Sequence, residues 1–182
     1  MWSPSDAWLV VVDPQRILAS SESPWGSPMF DDIVAPVRRL AGAAGERTIV
    51  TRWVAPHPAH GSWAAYLRAW PFADVPPDDR LLDVVDELRD LTRTVVTAPT
   101  FGKWGPALHE VTGPTPHLVL AGVSTDCCVI STALAAADAG ATVTIVSDAC
   151  AGSTPENHQS ALDVMALYPP QITIATTADV LA

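Results

Sequence analysis

Residues 117–129 read HLVLAGVSTDCCV. Leu118, Val119 and Leu120 form a short apolar run without alternation, the pattern of a strand buried on both faces. Gly122 allows a tight turn after it. Thr125 or Asp126 then supplies an N-cap for a helix whose body is STALAAADAG, closed by Gly140. Cys127 and Cys128 fall in the first turn of that helix. There the positive end of the helix dipole and the unpaired N–H groups favour thiolate over thiol. The same N–H groups can hold an oxyanion. One local element therefore offers a nucleophile and a place for the charge its attack creates. The competing reading of a free cysteine is a small buried hydrophobe.

The surrounding chain is consistent with one globular domain spanning residues 1–182. It is 48% hydrophobic, enough for a real core. No apolar run approaches the roughly 20 residues a membrane span needs. The N-terminal MWSPSDAWLVVVDP has no basic segment ahead of its apolar run, so no secretory signal and a cytoplasmic location are expected. Three cysteines leave at least one thiol unpaired, which argues against a disulfide framework. The formal net charge is −10 and there is no Lys/Arg run, so neither nucleic acid nor an anionic membrane is an expected partner. Lys103 is the only lysine, so any chemistry that needs an ammonium has one candidate.

Apolar strand-like runs at 7–12, 47–54, 94–98, 118–120, 142–147 and 172–175 alternate with segments of helical spacing at 30–44, 63–70, 81–91, 106 onward, 131–140 and 155–167. This alternation predicts an α/β fold: an open, mostly parallel six-stranded sheet with helices on both faces. In such sheets ligands sit at the carboxyl ends of strands. Asp13, Arg52, Trp53, Lys103 and the Cys127–Cys128 turn all lie at or just beyond such ends.

Three segments, in this order, resemble the isochorismatase-like cysteine hydrolases, the superfamily that includes nicotinamidases. LVVVDPQ is similar to the family's opening strand, TRWVAPHPAHGSWAAYLRAW to one subgroup's second strand and loop, and AGVSTDCCVISTALAAADAG to its nucleophile turn. The resemblance covers nearly the whole chain and implies a three-layer, Rossmann-like architecture. It implies a triad of Asp13 as general base, a lysine as electrostatic support and Cys128 as nucleophile. It also implies an oxyanion hole from the backbone N–H groups of Ser124 and Cys128, a cis peptide before Ser124, and assembly as a homodimer or homotetramer. A cation between carboxylate and thiolate lets both ionise, which supports these roles independently.

Two departures stand out. The family's lysine aligns with Thr97, whereas Lys103 lies six residues later in the loop PTFGKWG. Either the loop carries the ammonium back, or the ionic support is altered. Nicotinamidases also carry an Asp-x-His after the second strand, where this chain has Trp53 and Ala55. His57 and His60 remain without a nearby acidic ligand, so no metal and no cofactor are expected.

Of the seven tryptophans, Trp25, Trp53, Trp63, Trp70 and Trp104 fall in or beside loops expected around the site. Trp53 and Trp104 flank strand ends and are expected to bind substrate, with Gln15 either touching substrate or fixing the Asp13 loop. Arg52 suits a substrate carboxylate or a structural ion pair equally. Cys150 and His158 read as structural, and Asp148 as a turn cap. The sequence thus predicts a cysteine-dependent hydrolase of a small amide. The alternatives are a vinyl-ether hydrolase of the isochorismatase type and a non-catalytic member with a decayed site.

Overall fold

A computed structural model describes residues 6–182. Residues 1–5, which open the stretch read for a secretory signal, lie outside them. Six strands form one sheet: β1 (Ala7–Val12), β2 (Thr48–Trp53), β3 (Val95–Ala98), β4 (His117–Val123), β5 (Thr142–Ala151) and β6 (Ile172–Ala175). Their order is β3-β2-β1-β4-β5-β6, and every neighbouring pair is parallel. The chain steps outward from β1 to β3 and then crosses to β4, so the strand order reverses between β1 and β4. A crevice opens beyond the strand ends at such a reversal. Asp13 follows β1 and the cysteine turn follows β4, one on each side of it.

Side chains alternate between the faces with the period of a strand. Leu9, Val11, Val50, Val119 and Ala121 point to one face, packed against Ile33, Val37 and Leu40 of α2 (Phe30–Ala44) and Val180 of α7 (Thr177–Leu181). Val10, Val12, Ile49, Leu118 and Leu120 point to the other. There they meet α4 (Pro106–Thr112), α5 (Ile130–Asp138) and α6 (Pro155–Met165), through Leu108, Ala133, Ala136, Leu162 and Met165. The outer helices close as their sequences direct. Gly140, with φ of 97°, donates to the Ala137 carbonyl, and Ala141 donates to that of Ala136, ending α5 in a glycine-based C-cap. Among the described residues no helix is long and apolar enough to cross a membrane.

Several local expectations are corrected. Segment 81–91 is two short 3₁₀ turns, Arg80–Leu82 and Asp86–Leu91, rather than one helix. Tertiary bonds interrupt it: Val84 bridges to Gln15, the Asp83 carbonyl accepts from Arg16 N–H, and Val85 N–H donates to the Pro14 carbonyl. The segment is thereby laced to the loop that carries Asp13. A four-residue helix, α1 (Arg16–Ala19), follows the Asp13 loop, and α3 is Ser62–Ala69 rather than 63–70. β5 runs to Ala151 instead of ending at Ser147.

Gly122 lies within β4, not in a turn after it. Its φ is 110°, and a Cβ there would sit 2.2 Å from the Val12 carbonyl oxygen. The glycine lets β1 and β4 approach closely where the two strands deliver Asp13 and the cysteine turn.

Candidate active site

Asp13 is fully buried and holds φ of 44°, a left-handed conformation that Asp tolerates better than most residues. Thr51 on β2 fixes it twice. The Asp13 backbone N–H donates to Thr51 Oγ1 at 3.0 Å, and that hydroxyl donates to Asp13 Oδ1 at 2.6 Å. Gln15 locks the ensuing loop. Its amide donates to the carbonyls of Trp53 (3.0 Å) and Leu82 (2.8 Å) and accepts from Trp53 N–H (2.7 Å). Both ends of the amide are engaged with backbone, and Gln15 does not line the pocket. These bonds tie the loop that carries Asp13 to Trp53 and Leu82.

Lys103 returns to the site despite its offset along the chain. Gly102 packs against the start of α5, where a Cβ would meet the Ser131 carbonyl oxygen at 3.1 Å. Lys103 N–H donates to Thr132 Oγ1 at 2.9 Å, anchoring the loop to α5. The ammonium donates to the Thr100 carbonyl at 2.6 Å and lies 2.9 Å from Asp13 Oδ2. Both side chains of this ion pair are 0% exposed. Oδ2 has no aligned hydrogen-bond donor among the described residues, which leaves a lone pair for a thiol or a water.

The cysteine turn departs from the expected α-helical first turn. Thr125–Val129 forms a π turn, in which Val129 N–H donates to the Ser124 carbonyl at 3.1 Å, and α5 begins only at Ile130. Single π turns are frequent at functional sites. Neither Thr125 nor Asp126 caps it with its side chain. Thr125 Oγ1 instead pairs with His158 Nδ1 at 2.8 Å. Asp126 accepts from Ser153 N–H and Oγ, each at 2.7 Å, tying the turn to the loop after β5. The Val123–Ser124 peptide is cis. Cys128 is buried, and its carbonyl accepts from the same Thr132 hydroxyl that receives Lys103 N–H. One threonine therefore couples the lysine loop to the cysteine turn.

The two thiols are electrostatically unlike. The hydrogen bond with Cys127 pushes the Cys128 thiol well above the ordinary range; burial and the Asp13 carboxylate push the same way, against the pull of Lys103. Cys127 moves down, because its hydrogen bond with Cys128 outweighs burial and the charges of Asp126 and Asp13. The Cys128 thiol is thus shifted up and the Cys127 thiol down. Helix position alone suggests thiolate for both, but at Cys128 the hydrogen bond with Cys127 and then burial oppose it.

A pocket of about 200 Å³ opens onto Ser124, Cys127 and Cys128. Trp25, Trp53, Tyr66 and Phe101 form its aromatic wall. Trp25 meets Trp53 edge-on at 5.7 Å between ring centroids, and Tyr66 meets Phe101 at 5.4 Å. Burial, then the charges of the two cysteines, raises the Tyr66 phenol to about 12, so it remains a neutral hydroxyl. Tyr66 and Phe101 escape a reading that follows tryptophans; the signal for Tyr66 is its place one turn into α3, facing Trp25 and Trp63.

Trp53 lines the pocket. Trp104 does not: it packs on His109 at 4.1 Å between centroids and lies outside the pocket wall. Arg52 also turns away, donating to the carbonyls of Leu82 and Pro77. Cys150 is a packed thiol in β5, raised to about 12 chiefly by burial. Asp148 accepts from Thr177 N–H and Oγ1, capping the approach to α7. His57 lies 3.4 Å from Asp74 in an exposed loop. Among the described residues no group of three or more His, Cys, Asp or Glu side chains is placed to hold a metal ion.

The family model described as the isochorismatase domain matches residues 7–179. The chain belongs to this isochorismatase-like hydrolase family. Solved structures similar to it include a cysteine hydrolase from Pseudomonas syringae pv. phaseolicola, 18% identical with a TM-score of 0.84 over 98% of this chain and 92% of that one. An isochorismatase family protein from Desulfovibrio vulgaris is 20% identical with a TM-score of 0.77, covering 97% and 98%. A nicotinamidase from Bacillus subtilis is 19% identical with a TM-score of 0.70, covering 93% and 99%. At these identities the likeness is one of fold. None of the curated proteins compared with the chain matches it significantly.

Proposed function

We propose that the protein hydrolyses the C–N bond of a small amide through a thioester on Cys128. The observation that carries this reading is the fully buried Asp13–Lys103 pair, linked through Thr132 to the cysteine turn. The hydrogen bond with Cys127 and burial shift the Cys128 thiol up, so the mechanism is written from the thiol. The free lone pair of Asp13 Oδ2 receives that proton as sulfur attacks the carbonyl carbon. Lys103, paired with the carboxylate, offsets the negative charge that moves to sulfur. The tetrahedral oxyanion is held by the backbone N–H groups of Ser124 and Cys128. The C–N bond then breaks, and protonated Asp13 gives its proton to the departing nitrogen. Water enters, Asp13 takes its proton, and hydroxide attacks the thioester. The acid leaves and the proton returns to sulfur, restoring the starting state.

The pocket volume of about 200 Å³ is below the roughly 300–1,000 Å³ usual for drug-sized ligands, which favours a small substrate. The test is ammonia or amine release from a panel of small amides, with intact-mass detection of an acyl adduct. The expected result is turnover with an adduct that disappears in Cys128→Ala. Folded protein that releases nothing and forms no adduct overturns the reading.

A further inference from the structure

The charge around the pocket is one-sided. Asp126 lines it, and its carboxylate is fixed there by two hydrogen bonds from Ser153 at 2.7 Å. The wall formed by Trp25, Trp53, Tyr66 and Phe101 has no formal charge. Among the described lining residues none is cationic. Lys103 is held by Asp13 with both side chains 0% exposed, and Arg52 is spent on backbone carbonyls away from the site. A carboxylate entering this pocket would lose water without gaining a cationic partner, and would meet the charge of Asp126. A cation would gain from Asp126 and from the aromatic wall.

We propose that the pocket accepts small amides that are uncharged or positively charged and rejects those bearing a carboxylate, with Asp126 as the specificity-determining residue. This rests on the thioester reading for the reaction, though not for the selection itself. It excludes dicarboxylate vinyl ethers as substrates of this pocket.

Charged alkylthiolating reagents test the selection without any turnover. In Cys128→Ala, Cys127 is the remaining thiol that lines the pocket. Its rates with trimethylammonioethyl and sulfonatoethyl methanethiosulfonate are compared at low salt, each divided by the rate with 2-mercaptoethanol. The expected cation-to-anion ratio is about tenfold or more, shrinking several-fold in 0.5 M salt. Asp126→Asn should lower the ratio several-fold, while Asp32→Asn, which removes an equal charge from the exposed face of α2, leaves it unchanged. A low-salt ratio within about twofold of the free thiol overturns the proposal, and needs no Asp126 variant.

Amide turnover separates the two readings. If matched carboxylate and trimethylammonium amides are hydrolysed at equal rates, the selection fails while the thioester mechanism stands. If no amide is hydrolysed but the reagent ratio is large and depends on Asp126, the selection stands while the mechanism fails.

Discussion

Lys103 Nζ lies 2.9 Å from Asp13 Oδ2 with neither side chain exposed to solvent. A buried pair of this kind carries a large desolvation cost, which mutual attraction offsets only while both partners are present. Lys103→Met leaves a buried carboxylate, and Asp13→Asn leaves a buried ammonium. Each should cost about 3–5 kcal/mol of stability. Asn keeps the hydrogen-bonding shape and tolerates the left-handed backbone at this position. The double variant should cost less than the sum of the two by more than about 1 kcal/mol, since it leaves no unpaired charge. Urea unfolding of the four proteins measures this coupling. Additive effects would mean that the pair is not coupled in solution.

The neighbouring thiols give a second prediction. With the Cys127 thiol below the ordinary range and Cys128 well above it, brief iodoacetamide treatment near pH 7 should modify Cys127 first. Thiolate, and hence rate, grows as pH rises through each pKa, so the Cys127 midpoint falls on the acid side of an ordinary thiol and that of Cys128 on the alkaline side. Cys127→Ala removes the largest cause of the upward shift at Cys128, and its labelling midpoint should fall. Peptide mass mapping across pH 6–10 reads both. Faster labelling of Cys128 than of Cys127 in the wild type would reverse the assignment.

The fold was legible where burial acts along the chain. Runs such as AWLVVV and HLVLAG have no solvated face, so they predict the central strands, and helical spacing predicts α2 and α6. Asp13 could be placed because it directly follows β1, and Cys128 because its turn follows β4, five residues past Val123. Lys103 could not, because its position depends on Thr132 and Thr100 accepting its hydrogen bonds. Segment 81–91 keeps apolar residues at helical spacing, yet Asp83, Val84 and Val85 at its middle bond to Arg16, Gln15 and Pro14. Trp104 was misplaced for a related reason. Trp53 ends β2, whereas Trp104 lies six residues beyond the end of β3, in a loop that turns it toward His109.

Gly122 carries a prediction about how closely the site's two strands must approach. A Cβ at this position would stand 2.2 Å from the carbonyl oxygen and 2.6 Å from the nitrogen of Val12, both backbone atoms of β1. No rotamer change relieves such a contact. The φ of 110° adds strain for any side chain. Gly122→Ala should therefore destabilise by more than about 2 kcal/mol. It should also impair the reaction more than its stability loss explains, because Asp13 and Ser124 follow the two strands being forced apart. Activity measured well below the unfolding temperature, beside a urea curve, separates the two effects. A variant of wild-type stability would show that the sheet yields easily at this point.

Two histidines should make stability depend on pH. Burial holds both His117 and His158 below the ordinary value of 6.5. Above that value both are neutral in the folded and the unfolded chain, and pH has no leverage through them. As pH falls through about 6.5 the unfolded chain takes up protons first, which favours unfolding. Stability is then lost until the lower folded-state values are passed, after which the loss levels off. Each ring also has a hydroxyl partner, Thr144 Oγ1 for His117 at 2.9 Å and Thr125 Oγ1 for His158 at 2.8 Å. The urea midpoint should thus be lower at pH 5.5 than at pH 7.5, with the difference reduced in His117→Gln and in His158→Gln. Only His158 touches the cysteine turn, so its replacement alone should also alter thiol labelling. If both variants retain the full pH difference, the titrating groups lie elsewhere.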